Sequence, residues 1–172
     1  RAALLTGKHT GHVAVRVNLN NLVADTTPTF ATVLKDAGYY TGLFGKWGIG
    51  NPPPNDDPER KGFDEAYGYI NMWHAHNYYP DFLVRNGEVD SIEGNVIGEY
   101  VAMKTWDDPK PAGVGYSIKQ THYSHDLFED EALRFIEENK DTSFFLFLPF
   151  TMPHANIEAD NGMEIPSYGE FA

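Results

Sequence analysis

A chain of 172 residues with 41% hydrophobic and 22% charged side chains has enough apolar material for one domain with a proper core. Its formal net charge of −12 argues against nucleic-acid binding, which needs a basic face, and obliges any site for an anionic substrate to gather its own cations. It contains no cysteine, which excludes disulfides and thiolate metal sites within it, and no apolar run approaches the length that spans a bilayer.

In chain order, residues 1 to 7 read as a helical turn or two ending at Gly7. Lys8 to His12 is polar and glycine-bearing, hence loop; His9 and His12 lack a third ligand nearby and read as solvated histidines rather than a metal site. Thr27-Pro28 offers a hydroxyl cap and a first-turn proline, and Phe30, Ala31, Val33, Leu34 and Ala37 follow at helical spacing up to Gly38. Tyr39 to Gly45 is predicted as a strand, with Lys46 at its carboxyl end. Asn51 to Arg60, rich in proline and acids, reads as an irregular loop.

From Gly62 to Tyr79 the chain is unusually aromatic, with Phe63, Tyr67, Tyr69, Trp73, Tyr78 and Tyr79, which suits a core more often than a sugar-stacking surface. Phe82 to Arg85, then Asn86-Gly87 and Glu88 onward, read as a β-hairpin, because Asn-Gly supplies both positive-φ positions of a tight turn. Residues 94 to 120 show no clear period. Ser124 is the expected cap of a further helix carrying Leu127, Phe128, Ala132, Leu133, Phe135 and Ile136 on its apolar side. Thr142 to Leu148 reads as a continuous apolar strand of the kind buried on both faces, ended by Pro149 and followed by Pro153-His154. Glycine, proline and acids dominate from Asn156 to Ala172.

Helices alternating with strands imply an α/β fold with parallel central strands. Ligands in such folds collect beyond the carboxyl ends of the strands. Lys46 follows one strand and His154 the other, so parallel pairing places both on one rim, and Arg1 completes a cationic or proton-donating set. A lysine about 4 Å from an anion is worth roughly 4 kcal/mol at a protein surface. One fixed donor aimed at growing charge contributes about 10²–10³ in rate. The plainer alternative leaves Lys46 a surface lysine and His154 a loop histidine bonded to backbone.

Four stretches in order resemble the sulfatase family: Arg1 with Leu4-Leu5-Thr6-Gly7, Gly45-Lys46-Trp47, Lys61-Gly62-Phe63-Asp64 with Tyr67-Gly68-Tyr69, and Phe144 to Phe150 leading to Met152-Pro153-His154. The resemblance implies an alkaline-phosphatase-like α/β sandwich around a mostly parallel central sheet. It would be partial here, with a β-hairpin excursion, and residues 1–172 would form part of one catalytic domain. It further implies a formylglycine nucleophile upstream of Arg1 that passes through a sulfated intermediate, and a Ca²⁺ ion whose carboxylate and asparagine ligands lie outside this chain. By position, Arg1 would steady the formylglycine, Lys46 would bind sulfate oxygens, and His154 would assist the leaving group or bind sulfate. The implied partner is a sulfated carbohydrate or aryl sulfate rather than nucleic acid or a membrane, and the implied location is periplasmic or extracellular.

Two local features bear on that resemblance. The family usually places histidine two positions after the lysine, where this chain has Gly48; Ala75-His76-Asn77-Tyr78-Tyr79-Pro80 offers His76 as a replacement imidazole for substrate binding, with His74 the second candidate. Asp160-Asn161-Gly162 copies the letters of the family's downstream calcium motif but follows no strand, so it reads as a turn. Two other functions remain open: a phosphoester or phosphonate ester hydrolase of the same superfamily, and a degenerate, non-catalytic binding module. The chain alone, lacking nucleophile and metal ligands, is expected to be inactive.

Overall fold

The computed structural model describes residues 1–16, 23–49, 57–69, 71–98 and 113–156. The helices are α1 (Ala2–Thr6), α2 (Phe30–Asp36) and α3 (Ser124–Asn139). The strands are β1 (Tyr40–Lys46), β2 (Glu65–Tyr69), β3 (Phe82–Arg85), β4 (Glu88–Ser91), β5 (Val96–Ile97), β6 (Ser117–Lys119) and β7 (Phe144–Phe147). Five strands form one sheet in the order β4-β3-β2-β1-β7, and β5 and β6 form a separate antiparallel ribbon. β1 runs parallel to β2 and β7, while the hairpin β3–β4 adds antiparallel strands at one edge. The three parallel strands therefore end on a common rim.

Period-two alternation splits each strand between two cores. Leu43, Ala66, Val84, Phe145 and Phe147 join Ala31, Trp47 and Phe63 on the α2 side. Phe44, Tyr67, Leu83, Phe144 and Leu146 meet Phe128, Ala132 and Phe135 of α3 on the other. The result is a helix–sheet–helix sandwich. Of the expected aromatic segment, Phe63, Tyr67 and Tyr69 join these cores, and Trp73 and Tyr78 are buried outside them.

Three local expectations shift. α2 is capped by Thr29 rather than Thr27: the Thr32 amide donates to the Thr29 hydroxyl (3.1 Å) and the Thr29 amide to the Thr32 hydroxyl (2.9 Å), a reciprocal box that leaves Pro28 outside the helix. Ser124 does not cap α3; Tyr123 holds that position without a side-chain bond, and Ser124 Oγ lies instead 2.7 Å from the buried Tyr69 hydroxyl. The Ser124 hydroxyl is itself buried, and the buried phenol takes it as a partner. β7 is half-buried at all four residues instead of buried on both faces, because it is the last strand of the sheet among the described residues. The hairpin turn is as expected, with Asn86 at φ 47° and Gly87 at φ 80°.

Residues 51–56 of the proline-rich loop, 99–112 of the aperiodic stretch, and Asp160-Asn161-Gly162 lie outside the described residues.

Candidate active site

The rim is built where β1, β2 and β7 end. Gly45 and Gly68 face each other across β1 and β2, and a Cβ on Gly68 would stand 1.8 Å from the Gly45 carbonyl oxygen, so no larger residue fits there. Just beyond, the Lys46 amide donates to Pro149 O (2.8 Å), and the Trp47 amide donates to Tyr69 O (2.8 Å). Lys46 is thus clamped between the ends of its two neighbours. Its side chain is only 7% exposed. Burial, with the nearby Arg1 charge adding to it, lowers its ammonium pKa to about 8.

Gly48 sits against the same head groups. Its φ is 69°, and a Cβ there would lie 3.2 Å from Arg1 Nη1 and 3.5 Å from Lys46 Cε. The position where the family usually has histidine is therefore filled, in this chain, by the close approach of Arg1 and Lys46.

His154 is reached through the loop that follows β7, and His125, Tyr78 and His76 hold that loop. The Thr151 amide donates to His125 Nε2 (3.2 Å), so His125 must carry its ring hydrogen on Nδ1, facing Ser124 Oγ at 3.2 Å. Tyr69 closes the chain by donating its hydroxyl to Asn77 O (2.6 Å). His125 is neutral in this arrangement, and burial lowers its pKa to about 4. Tyr78 donates its hydroxyl to the His154 carbonyl, and His76 stacks on the His154 ring with centroids 4.6 Å apart and planes 6° from parallel. His154 Nδ1 donates to Ala155 O (2.6 Å), because a carbonyl can only accept; Nε2 is left to engage a ligand. The backbone-bonded histidine of the plainer reading is thus real, and it serves to orient the ring.

These residues share one cavity of about 330 Å³, lined by Arg1, Arg16, Lys46, Gly48, His76 and His154 on its polar side. Ala2, Ala3, Thr10, Val13, Val15, Ile49 and Met72 complete the wall. No carboxylate is among the described lining residues. In a chain of net charge −12, an acid-free cavity with three fixed cations is built for an anion.

Of the residues singled out in sequence, Arg1, Lys46, His76 and His154 therefore come together, and His74 does not. His74 is fully buried, edge-on to Tyr69 (5.0 Å) and tilted against Phe82 (4.4 Å). Neither ring nitrogen makes a hydrogen bond of normal geometry, the Phe82 backbone being a marginal partner, and burial lowers its pKa to about 3. His9 and His12 are exposed and bond to each other, Nε2 to Nδ1 at 2.6 Å, and neither lines the cavity. Sequence reading missed Arg16, which belongs to no element, and missed Tyr78 and His125, whose roles appear only once the loop after β7 folds over them.

The calcium ion that the resemblance implies has its expected ligands outside these residues. Among those described, no three His, Cys, Asp or Glu residues are grouped so as to hold a metal ion, and the cavity wall offers no carboxylate. The described residues do not fit a calcium ligand set, and no step is derived through that ion.

The sulfatase family model matches residues 1–169, and the chain belongs to that family. It is 27% identical over 158 residues to N-acetylglucosamine-6-O-sulfatase of Bacteroides thetaiotaomicron, covering 91% of this chain and 22% of that protein. It is 26% identical over 138 residues to an arylsulfatase of Klebsiella aerogenes, covering 80% of this chain and 26% of that one. The crystal structure of Ps i-CgsB shares the fold with a TM-score of 0.63 at 27% identity, over 90% of this chain and 34% of that chain. The chain thus spans about a quarter of the curated relatives' length and about a third of the solved neighbour's. Its mixed, three-layer sheet is the alkaline-phosphatase-like architecture expected of the family.

Proposed function

We propose that the protein hydrolyses a sulfate monoester, with a sulfated carbohydrate or an aryl sulfate as substrate. The observation that carries this reading is the convergence of Arg1, Lys46, His76 and His154 on one cavity without a described acid. The named relatives support it: one is an N-acetylglucosamine-6-O-sulfatase, and Ps i-CgsB has been solved in complex with a neocarrahexaose. The resemblance also carries a periplasmic or extracellular place of action. Among the described residues, no helix is long and apolar enough to cross a membrane.

The chemistry divides simply. The family's formylglycine would supply the nucleophile. This chain's residues do the rest. Lys46, buried and clamped by backbone, holds sulfate oxygens as charge builds on them. Arg1, beside Gly48, balances the same charge and steadies the attacking group. With its ring protonated on both nitrogens, His154 keeps Nδ1–H on Ala155 O and delivers the Nε2 proton to the departing alcohol oxygen as the S–O bond breaks, which leaves the neutral ring with its hydrogen on Nδ1. His76, stacked on His154, supplies from that side the imidazole that the family's Lys-Trp-His motif would carry, while Arg1 and Lys46 fill the space beside Gly48.

The test is turnover of matched aryl sulfate and aryl phosphate esters by the full-length protein. A preference for sulfate, with His76→Ala lowering turnover at least about tenfold, is the expected result. A preference for the phosphate ester would assign the site to phosphoester hydrolysis. Tight sulfate binding without turnover would make it a binding module.

A further inference from the structure

The cations of this chain are distributed unequally. Arg60 pairs with Asp25, Arg85 with Glu131 and Asp90, and Arg134 with Glu65, Glu131 and Glu138. Lys61 and Lys35 are likewise neutralised, by Asp25 and Asp64. The remaining arginines, Arg1 and Arg16, pair with no carboxylate among the described residues, and both line the cavity. A protein this acidic could have neutralised Arg16 easily; the site keeps its charge available.

Arg16 is also placed differently from Lys46. Lys46 is buried at the strand ends, whereas Arg16 is exposed, with its Nε donating to Val13 O (3.1 Å). That single backbone bond fixes the stem and leaves the outer guanidinium nitrogens with no hydrogen-bond partner among the described residues. A guanidinium so presented matches the paired oxygens of a sulfate or carboxylate, which a lysine cannot do. A sulfate monoester carries one negative charge, and Arg1 and Lys46 already oppose it. A cavity of about 330 Å³ has room beyond one sulfate group, and Val13, Val15 and Met72 offer apolar wall to a sugar face.

Accepting the sulfate-ester reading above, the geometry points to Arg16 as a specificity-determining residue that binds a second oxyanion on the substrate, displaced outward from the scissile sulfate. The substrate class is then a dianionic saccharide, carrying either a second sulfate or a carboxylate near the ester that is cut.

The experiment measures kcat/KM of the full-length protein for three nitrophenyl hexosides: monosulfated, disulfated, and monosulfated with a uronic carboxylate. The disulfated and uronate arms separate the two sources of the second charge. The wild type should favour at least one dianion by about tenfold or more, the size of one charge-assisted contact at an exposed position, and the preference should shrink at high salt. Arg16→Gln should collapse that ratio to within about twofold, and Arg16→Lys should retain part of it through charge alone. A thermal melt of each variant establishes that it is folded. No dianion preference in the wild type, a preference that survives Arg16→Gln, or an equal fall on all three substrates would overturn the assignment while leaving sulfate-ester hydrolysis intact. Failure of the wild type to release sulfate from any of the three would remove both.

Discussion

Lys46 is useful to an anion only while protonated, and its lowered pKa of about 8 places that condition within ordinary assay range. Above that pH the free enzyme loses the ammonium charge, so kcat/KM for a sulfate ester should fall with an apparent pKa near 8. Lys46→Arg, which stays charged, should abolish that alkaline limb even if it lowers the plateau; an unchanged limb would mean another group titrates. Gly48 is testable at the same scale. With φ at 69° and Arg1 Nη1 at 3.2 Å from a would-be Cβ, Gly48→Ala strains the backbone and displaces the guanidinium. It should cost about 1 kcal/mol in stability and at least about tenfold in kcat/KM. A fully active Gly48→Ala would show that Arg1 does not need this seat. Lys46 and His154 were legible in sequence because each follows a recognisable strand, and parallel strands share a rim. Arg16 was not, because nothing local in Val13-Ala14-Val15-Arg16 says which way a loop arginine faces.

At the scale of elements, the loop after β7 is the part that has to be held. α3 holds it through His125, which accepts the Thr151 amide, and the aromatic stretch holds it through Tyr78 and His76. Sequence reading had Ser124 as a helix cap and the aromatic stretch as generic core. Ser124 is not the cap, and the aromatic stretch is more than core, since a buried polar group answers to its tertiary partners before its local propensity. A consequence for pH follows from the two buried neutral imidazoles, His125 and His74, whose folded pKa values of about 4 and about 3 lie below the ordinary 6.5. Between those limits the unfolded chain binds more protons than the folded one, so stability falls as pH drops from about 6.5 toward 4. For His125 alone the loss amounts to about 3 kcal/mol by pH 4, at about 1.4 kcal/mol per unit. Denaturant melts across this window should show the decline, and those of His125→Gln about half of it, the His74 share remaining; an equally steep variant would show that His125 is not kept neutral by folding.

The whole molecule poses a different problem. Three parallel strands and a hairpin make the frame, and the order of elements foretold the parallel part and the hairpin separately. It did not foretell that β7 would be half-buried, because burial of an apolar strand depends on what lies beside it, not on its own letters. Among the described residues β7 has no outer neighbour, and Leu133, Ile136, Leu148 and Phe150 are each more than a third exposed. With Tyr123, Met152 and others, these four line an apolar hollow of about 350 Å³. An unpaired strand edge beside exposed apolar side chains invites association. Residues 1–172 expressed alone should therefore self-associate in light scattering and bind a hydrophobic dye, whereas a monodisperse, dye-free monomer would contradict this.

The joint action of Lys46 and His154 on one sulfate is open to a direct double-mutant measurement in the full-length protein. Sulfate release should fall at least about a hundredfold in Lys46→Ala and in His154→Ala, and the double variant should lose less than the product of the two, as groups serving one oxyanion do. Single variants that turn over within about twofold of the parent would contradict it, because this rim would then not be where the ester is held.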